Sequence, residues 1–233
     1  MSAATKNGPA TNRIKDQAAE AAPPVEQGGF REIVVAPIRP KIVQFHIRGV
    51  TPLLVCRWSE KARREMLEKQ TGAAKKKKSL KVPEDDYQAS LYKSTEGWTG
   101  VPASGIKGCI VNACRAIDGL PMTLAKRMIF VRAQGYTKEG QGLVRIIGDH
   151  KMHEAMVRIA TGVADIRFRG IYEKWEMNLE IEFLEDNISV QNLANLLNIS
   201  GFVEGLCEHR PGAPKSNTGD NGRFFIVGTD EEK

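Results

Sequence analysis

Two segments of this 233-residue chain carry residue types that can hold a phosphate. Residues 100–117 read GVPASGIKGCIVNACRAI, and residues 201–227 read GFVEGLCEHRPGAPKSNTGDNGRFFIV. In the first, Ser104 and Lys107 fall in the opening turn of a predicted helix, where free backbone N–H groups favour an anion. Lys107 lies off the apolar stripe, and a cation there opposes the helix dipole, so an external phosphate is the economical reason for it. In the second, Gly201, Gly205, Gly212, Gly219 and Gly222 would let backbone N–H groups approach a ligand, while His209 and Arg210 supply counter-charge. An arginine so placed clamps a phosphate through two donors or stacks on a base. The competing use of Arg210 is an ordinary ion pair with Glu204 or Glu208.

Further positive charge lies in residues 57–81, where ten basic and three acidic side chains leave a net +7. Lys75, Lys76, Lys77 and Lys78 sit at its centre. That run reads both as a solvated loop and as an electrostatic arm for phosphates. Arg167 and Arg169 alternate with Ile166 and Phe168, so both project from one strand face, as a ligand track requires. A strand face turned to water has the same pattern. His46 and Arg48 share the polar face of another strand.

Catalytic and metal chemistry is weakly encoded. His46 would be the general base, but such a base needs a second group to stabilise the reacting centre, and its sequence neighbours offer none. His150 and His153, in DHKMHE, would need a helix or turn to converge on a metal. Cys56, Cys109, Cys114 and Cys207 show no C-x-x-C spacing and read as reduced, mostly buried thiols. No catalytic residue, metal or cofactor is assigned. Among the sparse aromatics, Trp58, Tyr92, Trp98 and Phe168 could stack on bases, Trp58 beside the basic arm, although packing is the commoner use of each.

Composition bounds the rest. The length suits one domain with a sizeable core. The formal charge is +6 and the isoelectric point about 9.1. Residues 1–29 are neutral overall, rich in Ala, Pro, Gly, Gln and Asn, and without period, so they are expected to be disordered. The tail 230–233 carries −2, which leaves +8 on residues 30–229 and favours a polyanionic partner. With no apolar run of membrane-spanning length and no signal-like apolar stretch, a cytoplasmic protein without membrane association is expected.

The elements that must position these residues follow from periodicity. KIVQFHIR (41–48) alternates, with Val43, Phe45 and Ile47 on one face. Ser59 would cap a helix, EKARREMLEKQ. Ile106, Cys109, Ile110, Ala113 and Ile117 mark a helix over 104–118, with Ser104 as its cap and Gly119 as its stop. Strands are predicted at 128–134, 143–147, 164–170 and 175–183, and Ser189 caps a helix over 190–199. A strand over 222–228 closes the chain. Without the insertions at about 50–100 and 135–173, the order is βαββαβ. This predicts an α+β, ferredoxin-like fold, a modified RRM core with large insertions.

GVPASGIKG resembles the Pro-Gly-Ser-Ser-Leu-Lys-Gly motif of the RAMP superfamily, the repeat-associated proteins of CRISPR systems, and is most similar to the guide-RNA backbone subunits of effector complexes. Pro102, Ser104, Lys107 and Gly108 match and Ile106 replaces Leu, while Ala103 stands for Gly and Gly105 for Ser. The glycine segment before the last strand is similar to the superfamily's C-terminal glycine loop, with RPGAPKSN as an unusually long insert. The resemblance implies a single RAMP-like domain over 30–229 that binds single-stranded nucleic acid, with RNA favoured over DNA. It also implies side-by-side assembly into a homo-oligomer or filament, with other effector-complex subunits as further partners. The aspartate-bearing loop that cleaves RNA in some of these subunits would follow the first strand, and here it reads GVTPLLVCRW, with no acid. The expected function is therefore non-catalytic. A RAMP-type endoribonuclease and a structural assembly protein are the alternatives.

Overall fold

Alternation along two long strands builds the centre of the molecule. The computed structural model describes residues 37–58, 60–72, 81–158, 164–214 and 216–228. The expectations for residues 1–29, Ser59, Lys75, Lys76, Lys77, Lys78 and 230–233 lie outside the described residues. The chain divides into two units, Met1–Pro37 and Ile38–Lys233, and the second holds every element below.

In chain order the strands are β1 (Pro40–Gly49), β2 (Leu53–Val55), β3 (Tyr92–Lys93), β4 (Thr99–Pro102), β5 (Ile129–Val131), β6 (Gly135–Tyr136), β7 (Gly142–Arg145), β8 (His150–Arg158), β9 (Ala164–Tyr172), β10 (Glu176–Leu184) and β11 (Phe224–Ile226). The helices are α1 (Glu60–Gln70), α2 (Pro83–Ser90), α3 (Ala103–Ala113), α4 (Met122–Met128) and α5 (Val190–Val203). They form a mixed α+β fold with three antiparallel sheets, ordered β11-β1-β10-β5, β2-β9-β8 and β3-β4-β7-β6.

β1 and β10 pair over nine positions, from Pro40↔Leu184 to Arg48↔Glu176. On one face Phe45, Ile47, Met177, Leu179, Ile181 and Phe183 are buried. The α3 stripe (Ile106, Cys109, Ile110, Ala113) and the α5 stripe (Leu193, Leu196, Leu197) belong to the same core cluster. The period of 2 in the strands and of 3.6 in the helices turns these apolar faces inward, while Ile42 of β1 and Phe202 of α5 stay exposed. Trp175 locks one end of the pair: its Nε1 donates to Thr51 O (2.9 Å), and a Cβ on Gly49 would lie 2.1 Å from that nitrogen.

Ser189 caps α5, its hydroxyl accepting from Asn192 N. Ser104 does not cap α3. That helix starts at Ala103 behind Pro102, with no side-chain cap, because Pro102 still pairs with Leu143 at the end of β4 and its fixed φ leads straight into the helix. α3 also ends sooner than predicted, at Ala113, followed by a 3-10 turn, Cys114–Ala116. The two predicted insertions are structured: they supply β2–β4, α1 and α2, and then β6–β9. DHKMHE becomes part of a strand, so His150 and His153 face opposite sides of the sheet. No described helix is long and apolar enough to cross a membrane.

Candidate nucleic-acid interface

The two segments that lie a hundred residues apart in sequence meet across a cleft of about 480 Å³. One wall is the face of α3 formed by Gly105, Gly108 and Asn112, spaced i, i+3 and i+7. The opposite wall is the loop 205–210, which contributes Leu206, Cys207, Glu208 and Arg210. Cys56 and Tyr92 close one side. The loop is stitched to the segment after β1: Glu208 N donates to Leu54 O (2.9 Å), Gly222 N to Pro52 O (2.8 Å) and Thr51 Oγ1 to Asp220 O (2.7 Å).

The glycines on the two walls differ in what they face. In the C-terminal segment they are used for internal packing. A Cβ on Gly201 would meet Phe224 O at 2.0 Å, one on Gly219 would meet Arg210 O at 2.2 Å, and one on Gly222 would meet Leu206 O at 2.1 Å. In α3 the reverse holds. A Cβ on Gly108 would meet nothing within 4 Å, and one on Gly105 would meet only Pro102 Cβ at 3.9 Å. Each helical glycine costs about 0.5–1 kcal/mol relative to alanine. No packing among the described residues requires that cost. The bare backbone of α3 is open to the cleft.

The loop wall is held in an unfavourable backbone state. Cys207 (φ 62°) and His209 (φ 55°) are the non-glycine residues with positive φ among those described. Each such residue costs about 1–2 kcal/mol. Arg210 is half-buried, and its Nη1 donates to Cys207 O (2.9 Å). It lines the cleft rather than pairing through a direct salt bridge with Glu204 or Glu208. The partner of Glu208 is Arg169, which is 4 % exposed. Arg169 is therefore not on a solvent-facing track with Arg167. It is a buried cation behind the cleft wall, with Nη2 lacking a hydrogen-bond partner among the described residues. The pairing decides this, since β9 runs inward at Arg169 and Gly170 and outward at Arg167. Arg167 is exposed and its Nε lies 3.4 Å from Asp165 Oδ2.

Burial pushes the Cys109 and Cys207 thiols up to about 12; Cys56, an exposed residue, is also raised, by desolvation of its thiol and then by the charge of Glu208. At neutral pH they are protonated and weakly nucleophilic. Tyr92 is also raised, chiefly by burial.

Lys107 is not on the cleft. Its Nζ stands over the Phe130 ring, 3.8 Å from the centroid, and burial lowers its pKa. That cation–π contact is a local reason for a cation in the first turn of α3. Ser104 is exposed, next to Gly105. His209 is exposed, with its backbone O accepting from Asn221 N (3.0 Å).

His46 and Arg48 lie on the face of β1 away from the core, and β10 brings them a shared acid. Arg48 Nε donates to Glu176 Oε1 (2.7 Å), and His46 Nε2 lies 2.8 Å from Glu176 Oε2. Arg48 first, and then His46, hold the Glu176 carboxyl below the usual range. The partner for His46 sits 130 residues away, which no local pattern around His46 could show.

Sequence reading missed Asn112, Glu208, Cys56 and Tyr92 as cleft residues. The spacing Gly105, Gly108, Asn112 on one helical face was the available signal for the first. Glu208 and Cys56 are positioned by the bridge between Leu54 and Glu208, which has no sequence signature. No protein-family model matches the sequence, and no curated protein matches it as a relative.

Proposed function

We propose that this chain is a non-catalytic, cytoplasmic protein that binds single-stranded nucleic acid, RNA in preference to DNA, and assembles side by side along the strand. The cleft between α3 and the loop 205–210 is where the backbone of the strand is gripped. One observation carries this reading: Gly105 and Gly108 leave helical backbone open to a groove whose other wall presents Arg210, and no described residue fills that space. Close backbone approach beside a cation suits a phosphodiester chain. The strained loop and the net +6 charge point the same way.

The sheet order β11-β1-β10-β5, with α3 following the first of these strands in sequence and α5 following β10, supports a ferredoxin-like βαββαβ core. The RAMP-like motif forms the α3 wall and the glycine segment forms the other, which supports a RAMP-type binder and, through it, the preference for RNA. An electrophoretic shift with RNA, single-stranded DNA and duplex tests the reading. A shift that is strongest for RNA and weakest for duplex is expected. No shift with any of them contradicts it and leaves an assembly protein.

One observation favours a second reading, a RAMP-type endoribonuclease: the pairing of His46 with Glu176 beside Arg48 supplies the acid that local sequence lacks. Cutting of labelled RNA by the wild type that vanishes in His46→Ala would promote it. Intact RNA after prolonged incubation is the outcome expected here.

A further inference from the structure

The surface beyond the cleft has its own unexplained aromatic. Of the three tryptophans, Trp175 is 2 % exposed, and Trp98 packs against Gly100 and Gly135 and donates to Glu96 Oε2 (2.9 Å). Trp58 is 55 % exposed. It lines a groove of about 450 Å³ with Arg63, Arg64, Met66, Leu67 and Gln70 of α1. Arg63, Met66, Leu67 and Gln70 are spaced i, i+3, i+4 and i+7, so they share one helical face. An apolar stripe at that spacing normally packs on a core. Here Met66 and Leu67 are 46 % and 60 % exposed. Arg63 and Arg64 are exposed and make no ion pair or hydrogen bond to any described residue.

An exposed indole, two exposed apolar side chains and two guanidinium groups unpaired among the described residues make a shallow groove that is apolar in the middle and carries cations. A base in a single strand has an apolar π-face and is flanked by the phosphates of its sugar backbone. Charge complementarity selects it: this surface opens the stretch of residues 57–81 that holds net +7. We propose that Trp58 and the Arg63–Gln70 face of α1 form a base-stacking site for a single strand. One unpaired base lies on the indole and against Met66 and Leu67, while Arg63 and Arg64 take the flanking phosphates. The site gives affinity without reading base identity, because every base has a π-face. The inference rests on the nucleic-acid reading of the cleft, but uses none of the cleft's residues.

The test uses the full chain and reads its tryptophan emission while a uridine homopolymer is added, with binding followed separately by anisotropy of a labelled strand. The homopolymer quenches wild-type emission. Most of that quench is absent in Trp58→Phe, which keeps most of the affinity because a ring remains. Trp58→Ala binds about tenfold more weakly. An abasic strand of the same length, which has the phosphates without the bases, gives no Trp58-dependent quench. If the strand binds Trp58→Ala as tightly as wild type and quenches Trp58→Phe as fully, the stacking site is wrong while the cleft stands. If concentrating the protein without a strand changes Trp58 emission, and Trp58→Ala abolishes that change, the face covers a second protein copy and the proposal is overturned. If the wild type binds no single strand, the cleft reading and this site fall together.

Discussion

At the residue scale, the glycines of α3 separate folding from binding. Gly108→Ala removes a helix penalty and meets no neighbour, so it should stabilise the protein by about 0.5–1 kcal/mol in denaturant unfolding. The same methyl group narrows the cleft and should weaken strand binding. A variant that gained stability and bound as well as wild type would show that nothing passes along α3. Lys107→Ala should behave in the opposite way. It loses the contact with Phe130, costing about 0.5–1 kcal/mol, and reduces affinity less than Arg210→Ala does. From sequence alone, an external phosphate is the simplest account of Lys107. Phe130 could not be foreseen as its neighbour, because the strand that carries it is only three residues long and its register with β10 is set by tertiary pairing.

At the scale of elements, His150 ties α2 to the β8–β9 pair. Tyr87 OH meets its Nδ1, and its ring packs edge-on against Tyr87 and Tyr172. Burial first, and then the charge of Lys93, lower its pKa from 6.5, with Asp149 opposing them. The unfolded chain therefore binds a proton more readily than the folded one. The contribution is complete above pH 6.5 and is lost as pH falls through the window between 6.5 and the lowered folded value. Melting temperatures should drop across that window, and His150→Phe should flatten the drop. An unchanged profile would show that the ring contacts do not depend on charge. Nearby, Arg169→Met should cost about 1–3 kcal/mol, below the range for fully buried pairs because Glu208 is 31 % exposed. These elements also show what local sequence could and could not reveal. β1, β10 and α5 were legible because one period repeats along most of each element, although α5 runs past its predicted end at residue 199 to Val203. β2, β3 and β6 have two or three residues each, too few to show a period. α2 did carry a signal, Pro83 followed by Glu84, Asp85 and Asp86, which suits a helix start. The cleft was half legible: its two segments stand out by composition, but only packing shows that the loop glycines face their own backbone while the α3 glycines face open space.

For the whole molecule, which carries a net charge of +6, the proposed strand binding should weaken as salt rises, with a slope set by the number of phosphates contacted. Replacing Lys75, Lys76, Lys77 and Lys78 by alanine should lower the salt slope by up to ~0.7 per lysine if the run reaches phosphates, and leave it unchanged if it does not. Mass in solution should rise from monomer to multimer when a long single strand is added. The most direct test of the account is the affinity of Gly108→Leu for labelled RNA, measured beside its melting temperature. A Cβ on Gly108 meets nothing within 4 Å and Gly108 lines a cleft of about 480 Å³, so the melting temperature should stay near wild type while the leucine side chain enters the cleft and binding falls by tenfold or more, about 1.4 kcal/mol at least. RNA bound by a folded Gly108→Leu protein with wild-type affinity would contradict the claim that the strand runs through this cleft.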